Sequence, residues 1–171
     1  RTMRQAASLP KDALKELLCK NWMTHDAMWF ANCLRECGIE RTNRINKAAI
    51  RDMSAVEIQR IRKAVDGDPT QSFDDFRRFF DAAMEFATAK FMKYRYTSPA
   101  RNLMRAEWEE CFAYEGVKAL GVADRYECGI MLRIDTWLDT LGIRYDVTPK
   151  ITGCMMHTDG RCFRAYRFFF D

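Results

Sequence analysis

The sequence has few residues that break regular structure and no long apolar runs. It contains 4 prolines, 8 glycines and 2 histidines among 171 residues, which leaves little room for a disordered linker. No apolar stretch approaches the roughly 18 residues that a membrane-spanning helix needs. The opening segment RTMRQAASLPKD also lacks the apolar core of a secretion signal. These absences predict a globular protein of the cytoplasm that has no membrane partner.

Several well-known catalytic motifs are also absent. The chain has no GxGxxG, no phosphate-binding loop, no HExxH and no nucleophilic serine in a GxSxG turn. The net charge is +4, and residues 1–65 hold 13 Lys and Arg against 7 Asp and Glu. Because acidic residues interrupt the basic ones and no single helix concentrates them, we do not expect a nucleic-acid partner.

Hydrophobic periodicity predicts helices in the first half of the chain. A helix over 11–36 should end at Gly38, and a short helix should follow over about 42–50. The SAVE sequence that begins at Ser54 has the pattern of a capping box and predicts the start of a third helix. SFDDF predicts the start of a fourth, over about 73–93.

The second half of the chain has a different pattern. EWEECFAYE predicts a strand, a helix should end at Gly142, and IRYDVTPKI, TGCMM and RCFRAYRFFF predict three more strands. An Asp-Gly turn in HTDG would join the last two. We therefore predict an α+β fold, with N-terminal helices followed by an antiparallel sheet with one long helix and a C-terminal hairpin. We expect one domain, with a helical part over 1–95 and an α+β part over 107–171.

The seven cysteines are scattered, which is typical of reduced thiols in a cytoplasmic protein. Cys154 and Cys162 flank the predicted turn, so a hairpin would bring both sulfurs to one ion. Cys128, Cys111 and His157 are further donors of the type that zinc prefers. From the residues alone, a metal site and a set of structural thiols both stay open.

The segment from Trp108 to the end of the chain resembles the small-molecule-binding domains of the 4-vinyl-reductase type. These domains serve as sensors of aromatic compounds and as a reductase accessory module. The segment is also similar to bacterial proteins of the 2-aminothiazoline-4-carboxylate hydrolase-like type. The resemblance depends on CFAY at 111–114, YECG at 126–129, LG at 141–142, and GCMMHTDGRC before an aromatic strand.

This resemblance implies a zinc site. In the sensor type, three cysteines separated by 26 and by eight residues bind zinc together with a glutamate. Three cysteines of this chain have the same spacings: Cys128, Cys154 and Cys162. The position of the glutamate is occupied by Ile151, which cannot bind a metal. The resemblance therefore implies zinc, with Cys111 or His157 as the fourth ligand and iron as the alternative metal.

Aromatic residues and ten methionines suit a pocket for an apolar or planar small molecule, with or without a carboxylate. We expect four residues to bind such a ligand: Trp22, Trp29, Arg133 and Met155. Arg133 would either pair with a ligand carboxylate or form a surface salt bridge. His25 and its neighbour Asp26 are the catalytic candidates, although a lone histidine on an apolar helix face also suits a core position.

Three functions are compatible with these patterns. The first is a cytoplasmic small-molecule-binding domain with a cysteine-rich zinc site. The second is a hydrolase that acts on a non-peptide C–N or C–S bond through a metal-activated water. The third is a metal-free interaction module, and a homodimer is compatible with any of them. YTSPAR at 96–101 is similar to the Tyr-x-Ser-x-Arg motif of haem nitric-oxide sensors, but Ala100 replaces its arginine, so we do not expect haem.

Overall fold

The structure is a computed structural model, and it describes residues 8–170. This part of the chain contains five helices and four strands. In chain order they are α1 (Lys11–Ala64), α2 (Phe73–Ala87), β1 (Lys93–Ala100), β2 (Leu103–Glu110), α3 (Phe112–Ala119), α4 (Gly129–Leu141), β3 (Tyr145–Thr148), α5 (Met155–Asp159) and β4 (Cys162–Phe168). None of the helices in this range combines the length and apolar character that crossing a bilayer requires.

The strands form one antiparallel sheet in the order β1-β2-β4-β3. Strands β3 and β4 are the C-terminal hairpin, and the connection between them contains α5. The predicted α+β fold, with N-terminal helices before an antiparallel sheet, is thereby confirmed. Strand β1 was not predicted. The strand begins where the predicted fourth helix ends, at residue 93, and its residues alternate between exposed and half-buried positions.

Helix α1 bends sharply at Gly38, whose φ of 73° and ψ of 170° lie outside the helical range. Glycine adopts this positive φ without the steric penalty of a side chain. The bend divides α1 into a first arm (11–37) and a second arm (39–64), which fold back on each other so that residues at similar distances from Gly38 line a common cavity. The predicted interruption at Gly38 is correct, but no loop follows it.

The predicted helix start at Ser54 is wrong. The second arm continues through this residue, and its hydroxyl is buried without a hydrogen-bond partner among the described residues. No glycine or proline interrupts the arm here, and Ile58 and Ile61 extend its buried face into the core. The Glu57 carboxylate accepts hydrogen bonds from Arg133 and Trp137 instead of from a helix end. At Ser72, in contrast, the hydroxyl accepts from the Asp75 amide and caps α2 as predicted.

Two predictions around the cysteines are also wrong. The strand over EWEECFAYE ends at Glu110, and the rest of this segment forms α3. The predicted strand TGCMM and its Asp-Gly turn instead become α5, which ends at Gly160 in a left-handed conformation. The same conformational freedom of glycine serves a tight hairpin turn and a helix end, so the local signal fits both outcomes.

One main core joins the helical part to the α+β part. Its most deeply buried large side chains come from five elements: Ile58, Phe76, Met104, Trp137, Leu138, Tyr166 and Phe168. Burying one such side chain stabilises the fold by about 1.5–3 kcal/mol. The second arm of α1 contributes to this core and packs along α4, which fixes its position relative to the sheet.

Candidate cysteine site and ligand groove

Four cysteines from four parts of the chain form a group that we call the cysteine site. Cys111, Cys128 and Cys154 directly precede α3, α4 and α5, and Cys162 is the first residue of β4. The Cys128 amide donates a hydrogen bond to the carbonyl of Thr152 at 3.2 Å, which ties the start of α4 to the segment before Cys154. The charges of the other three thiols each raise the pKa of Cys162, so all four lie within electrostatic reach of one another.

The surroundings of this site favour neutral thiols when no cation is present. Burial raises the pKa of Cys111 to about 11 and that of Cys162 to about 12, and it also raises the pKa of Cys128. The first-turn backbone amides of α3 and α4 act in the opposite direction on Cys111 and Cys128. A metal ion reverses this preference, because a coordinating thiol gives up its proton.

The four cysteines have the right chemistry to bind zinc, but their side chains are not arranged around one point. Four thiols are the ligands of a closed structural zinc site. Within residues 8–170, however, no three donor side chains are placed as ligands of one ion, so the thiols would have to turn toward a common point. The predicted hairpin that placed Cys154 opposite Cys162 is wrong, because Cys162 pairs across the sheet with Trp108.

The two candidates for the fourth ligand lie in different surroundings. Cys111 is buried and interacts electrostatically with Cys128, Cys154 and Cys162. His157 is exposed on α5. Ile151 packs in the same apolar cluster as Cys128 and Cys162.

A buried arginine faces the cysteine site. Arg164 is only 4% exposed, and its guanidinium donates to the carbonyls of Phe163 at 3.1 Å and Ile151 at 3.3 Å. It forms no ion pair with any carboxylate of residues 8–170. Burial raises the pKa of Asp135, Cys128 and Cys162, and the charge of Arg164 opposes each rise. Buried charges in proteins are usually paired, so anionic sulfurs would supply a counter-charge to Arg164.

A groove lies next to α3 and the start of α4, and it begins between the two arms of α1. It consists of two adjoining cavities, of about 360 Å³ between the arms and about 190 Å³ against α3 and α4. The two cavities share six lining residues: Trp22, Asp26, Phe30, Asn46, Ile50 and Met53. This lining is mostly apolar and aromatic, as in sites for small organic molecules.

Three of the four predicted ligand-binding residues line this groove. Trp22 borders both cavities, Trp29 borders the larger one with 61% of its surface exposed, and Arg133 borders the smaller one. Met155 does not. Its side chain is buried beside the cysteine site, where its sulfur lies 4.0 Å from the Arg164 guanidinium.

The two catalytic candidates are neighbours at the rim of the groove. Both residues are exposed, and Asp26 is among the lining residues, whereas His25 is not. Their side chains approach to 3.7 Å between Nδ1 and Oδ1. Burial raises the pKa of Asp26, although His25 and Arg133 both act to lower it.

Arg133 already has a carboxylate partner. Its guanidinium binds Glu57 through two nitrogens, with Nε 2.8 Å from Oε2, and the Trp137 indole donates to the same carboxylate at 3.1 Å. The guanidinium also lies over the rings of Trp22 and Trp137, 5.1 and 5.4 Å from their centroids. A ligand carboxylate would therefore have to displace Glu57 from Arg133.

The groove and the cysteine site share a wall. Phe112 and Gly129 line the groove, and each directly follows a cysteine of the site. Tyr126 also lines it, and its hydroxyl accepts a hydrogen bond from the Gly129 amide at 3.2 Å. A Cβ at Gly129 would collide with Cδ1 of Ile50, so glycine allows the second arm to approach the start of α4.

Residues 7–111 match a family of unknown function (DUF6125). The match spans more than half of the chain, and the chain belongs to this family. The matched segment covers both arms of α1 and ends at Cys111, so the other three cysteines of the site lie outside it. No curated protein and no solved structure matches the chain.

Proposed function

For this member of a family of unknown function, we propose a cytoplasmic domain that binds an apolar or planar small molecule in the groove and holds zinc at the cysteine site. Zinc would fix the starts of α3 and α4 and so fix one wall of the groove. The observation that carries the proposal is the position of Cys111 and Cys128, each one residue before a residue that lines the groove.

Zinc is supported by the number and chemistry of the donors. Four thiols from separate elements converge in one apolar region, three of them buried and that of Cys128 partly buried, and zinc would supply a charge that stabilises their anionic form. The two cysteine spacings shared with the 4-vinyl-reductase-type sensors point to the same metal. Arg164 supports it as well, because four thiolates around a divalent ion carry a net negative charge that its guanidinium offsets.

An apolar ligand is supported by the size and lining of the groove. Its larger cavity of about 360 Å³ falls in the range of small-molecule sites, about 300–1,000 Å³. Trp22 and Phe30 border both cavities and offer flat apolar surfaces to a planar ligand. The resemblance to sensors of aromatic compounds suggests the same ligand class.

The donor count favours binding over hydrolysis. With Cys111 as the fourth ligand, the site has four protein ligands and no position for the activated water that a hydrolase requires. His25 and Asp26 are exposed residues of the first arm of α1 and are not part of the cysteine site. We therefore propose a structural role for the metal.

Metal analysis tests the zinc proposal directly. Elemental analysis by inductively coupled plasma mass spectrometry should find about one zinc ion per chain in protein purified without a histidine tag. Cys162→Ser should lose this zinc, and Cys111→Ser should lose it if Cys111 is the fourth ligand. Cys19→Ser is the matched control, because Cys19 is a buried thiol on the first arm, outside the cysteine site.

Two outcomes would contradict the proposal. Wild-type protein with far less than about one metal ion per chain would exclude the metal and favour the interaction module. Loss of zinc in His157→Ala, together with full zinc in Cys111→Ser, would assign the fourth place to the histidine.

A further inference from the structure

Few charged side chains line the groove, and they differ in how strongly each is paired with an opposite charge. Asp26 and Arg133 are the only charged side chains among the described residues that line its two cavities. Arg133 is neutralised by its two-point contact with Glu57. Asp26 is left as the charge that faces the groove without a strong partner there.

We propose that the ligand is an aromatic or planar cation, such as an arylalkyl amine, whose nitrogen binds the Asp26 carboxylate while its ring lies against Trp22 and Phe30. This inference rests on the proposed function, because it specifies the ligand class of the same groove.

The surroundings of Asp26 favour an incoming cation. The Asp26 side chain is about half exposed, and the part that is buried raises the pKa of its carboxyl in spite of the two basic neighbours. An ammonium group would form a charge-assisted hydrogen bond to this carboxylate. Asp26 lines both cavities, whereas His25, its partner at 3.7 Å, lines neither.

The aromatic residues around Asp26 add to this preference. The faces of Trp and Phe rings attract cations, and Trp22 already stacks with one, the Arg133 guanidinium. Glu57 neutralises that guanidinium, so Glu57, Arg133 and Asp26 together carry a net negative charge. A ligand cation between Trp22 and Asp26 would meet an attractive field.

A ligand carboxylate would meet the opposite conditions. It would lie near the like charge of Asp26, and it could reach Arg133 only by displacing Glu57. Displacement would leave the half-buried Glu57 carboxylate without its cation and the Trp137 indole without its acceptor, and each loss is costly.

Three probes of the same shape and different charge test the inference: 2-naphthylmethylamine, 2-naphthylmethanol and 2-naphthoate. We expect calorimetry on the full chain to give the tightest binding for the amine, weaker binding for the alcohol and the weakest for the carboxylate. Asp26→Asn should weaken the amine about tenfold and leave the alcohol unchanged. Asp66→Asn is the matched control, since it removes the same charge from an exposed position away from the groove.

The pH dependence gives a second readout. Because the pKa of Asp26 is raised, the carboxylate takes up its proton at a higher pH than an ordinary aspartate. Affinity for the amine should fall as the pH is lowered through this range, and Asp26→Asn should remove that fall.

The possible failures are distinguishable. Equal or tighter binding of 2-naphthoate, unaffected by Asp26→Asn, would overturn the cation and leave the groove as a ligand site. No binding of any probe to folded, zinc-loaded protein would overturn both the cation and the ligand groove. If light scattering then showed a dimer that Trp22→Ala dissociates, the occupant of the groove would be a second copy of the chain.

Discussion

The cysteine site and the groove are adjacent, since Cys111 and Cys128 each directly precede a residue that lines the groove, and they differ in several physical respects. The cysteine site is mostly buried and brings together residues from distant parts of the chain. The groove is open and mostly apolar, and it exposes aromatic side chains such as Trp29. We therefore expect substitutions at the cysteine site to change mainly the stability of the protein, and substitutions at the groove to change mainly ligand affinity.

Removal of the metal should have the largest effect. A strong chelator should lower the free energy of unfolding by more than about 3 kcal/mol, because metal binding and folding are coupled at structural sites. Denaturant titration of the chelated and zinc-loaded protein measures this difference. Cys162→Ser should behave like the chelated protein and should no longer respond to the chelator, whereas Cys19→Ser should respond like wild type. A chelator without effect on any of these proteins would remove the contrast between the two sites.

Replacement of the buried arginine should have the next largest effect. Arg164→Met should destabilise the zinc-loaded protein by about 3–5 kcal/mol, because the net negative charge that four thiolates retain around a divalent ion would lose its buried guanidinium partner. Arg164→Lys should lose less, since it keeps the charge but not the two carbonyl contacts. The same unfolding titration after chelation separates the causes: the cost of Arg164→Met should shrink when zinc is absent. An equal loss of stability with and without zinc would mean that Arg164 stabilises the fold through packing and through its interaction with Asp135, and not through the thiolates.

A methyl group placed in the shared wall should affect both sites. Gly129→Ala should cost about 1–3 kcal/mol, because its Cβ collides with Ile50 Cδ1. Ile50→Val removes that atom, so the double variant should recover most of the loss in unfolding measurements. Gly116→Ala is the control, because a Cβ there contacts nothing and alanine favours the helix. If Gly129→Ala were as stable as Gly116→Ala, the terminal methyl of Ile50 would have room to turn away from the added Cβ, and the packing of Ile50 against the start of α4 would not be tight.

Local signals in the sequence predicted those parts of the fold that depend on local chemistry. Gly142 ends α4 because the left-handed conformation favours glycine, and Ser72 begins α2 because its hydroxyl caps the helix. The failures involve equally good local signals whose outcome is decided by distant contacts. Glu57 would complete a capping box with Ser54, but Arg133 and Trp137 bind it from α4.

The candidate sites were predictable to different extents for the same reason. The family resemblance implied Cys128, Cys154 and Cys162 as a set, but their arrangement depends on the segment before Cys162, which was predicted as a strand and a turn and forms α5. Arg164 could have been found, because it alternates with Cys162 and Tyr166 on the buried face of β4. The groove could not, because it exists only through the fold-back of the two arms at Gly38.

The smallest effect on stability is expected at the exposed edge of the groove. Trp29→Ser should change the free energy of unfolding by no more than about 0.5 kcal/mol, since the side chain is already 61% exposed. The same substitution should weaken the binding of 2-naphthylmethylamine about two- to fivefold, because an aromatic wall of the larger cavity is lost. Leu18→Ser is the control, as Leu18 is similarly exposed on the same arm but does not line the groove. Trp29→Ser could instead lose much more stability than Leu18→Ser and leave the affinity unchanged. Trp29 would then have a structural role and no part in ligand binding, and the contrast between a structural cysteine site and a binding groove would fail at this position.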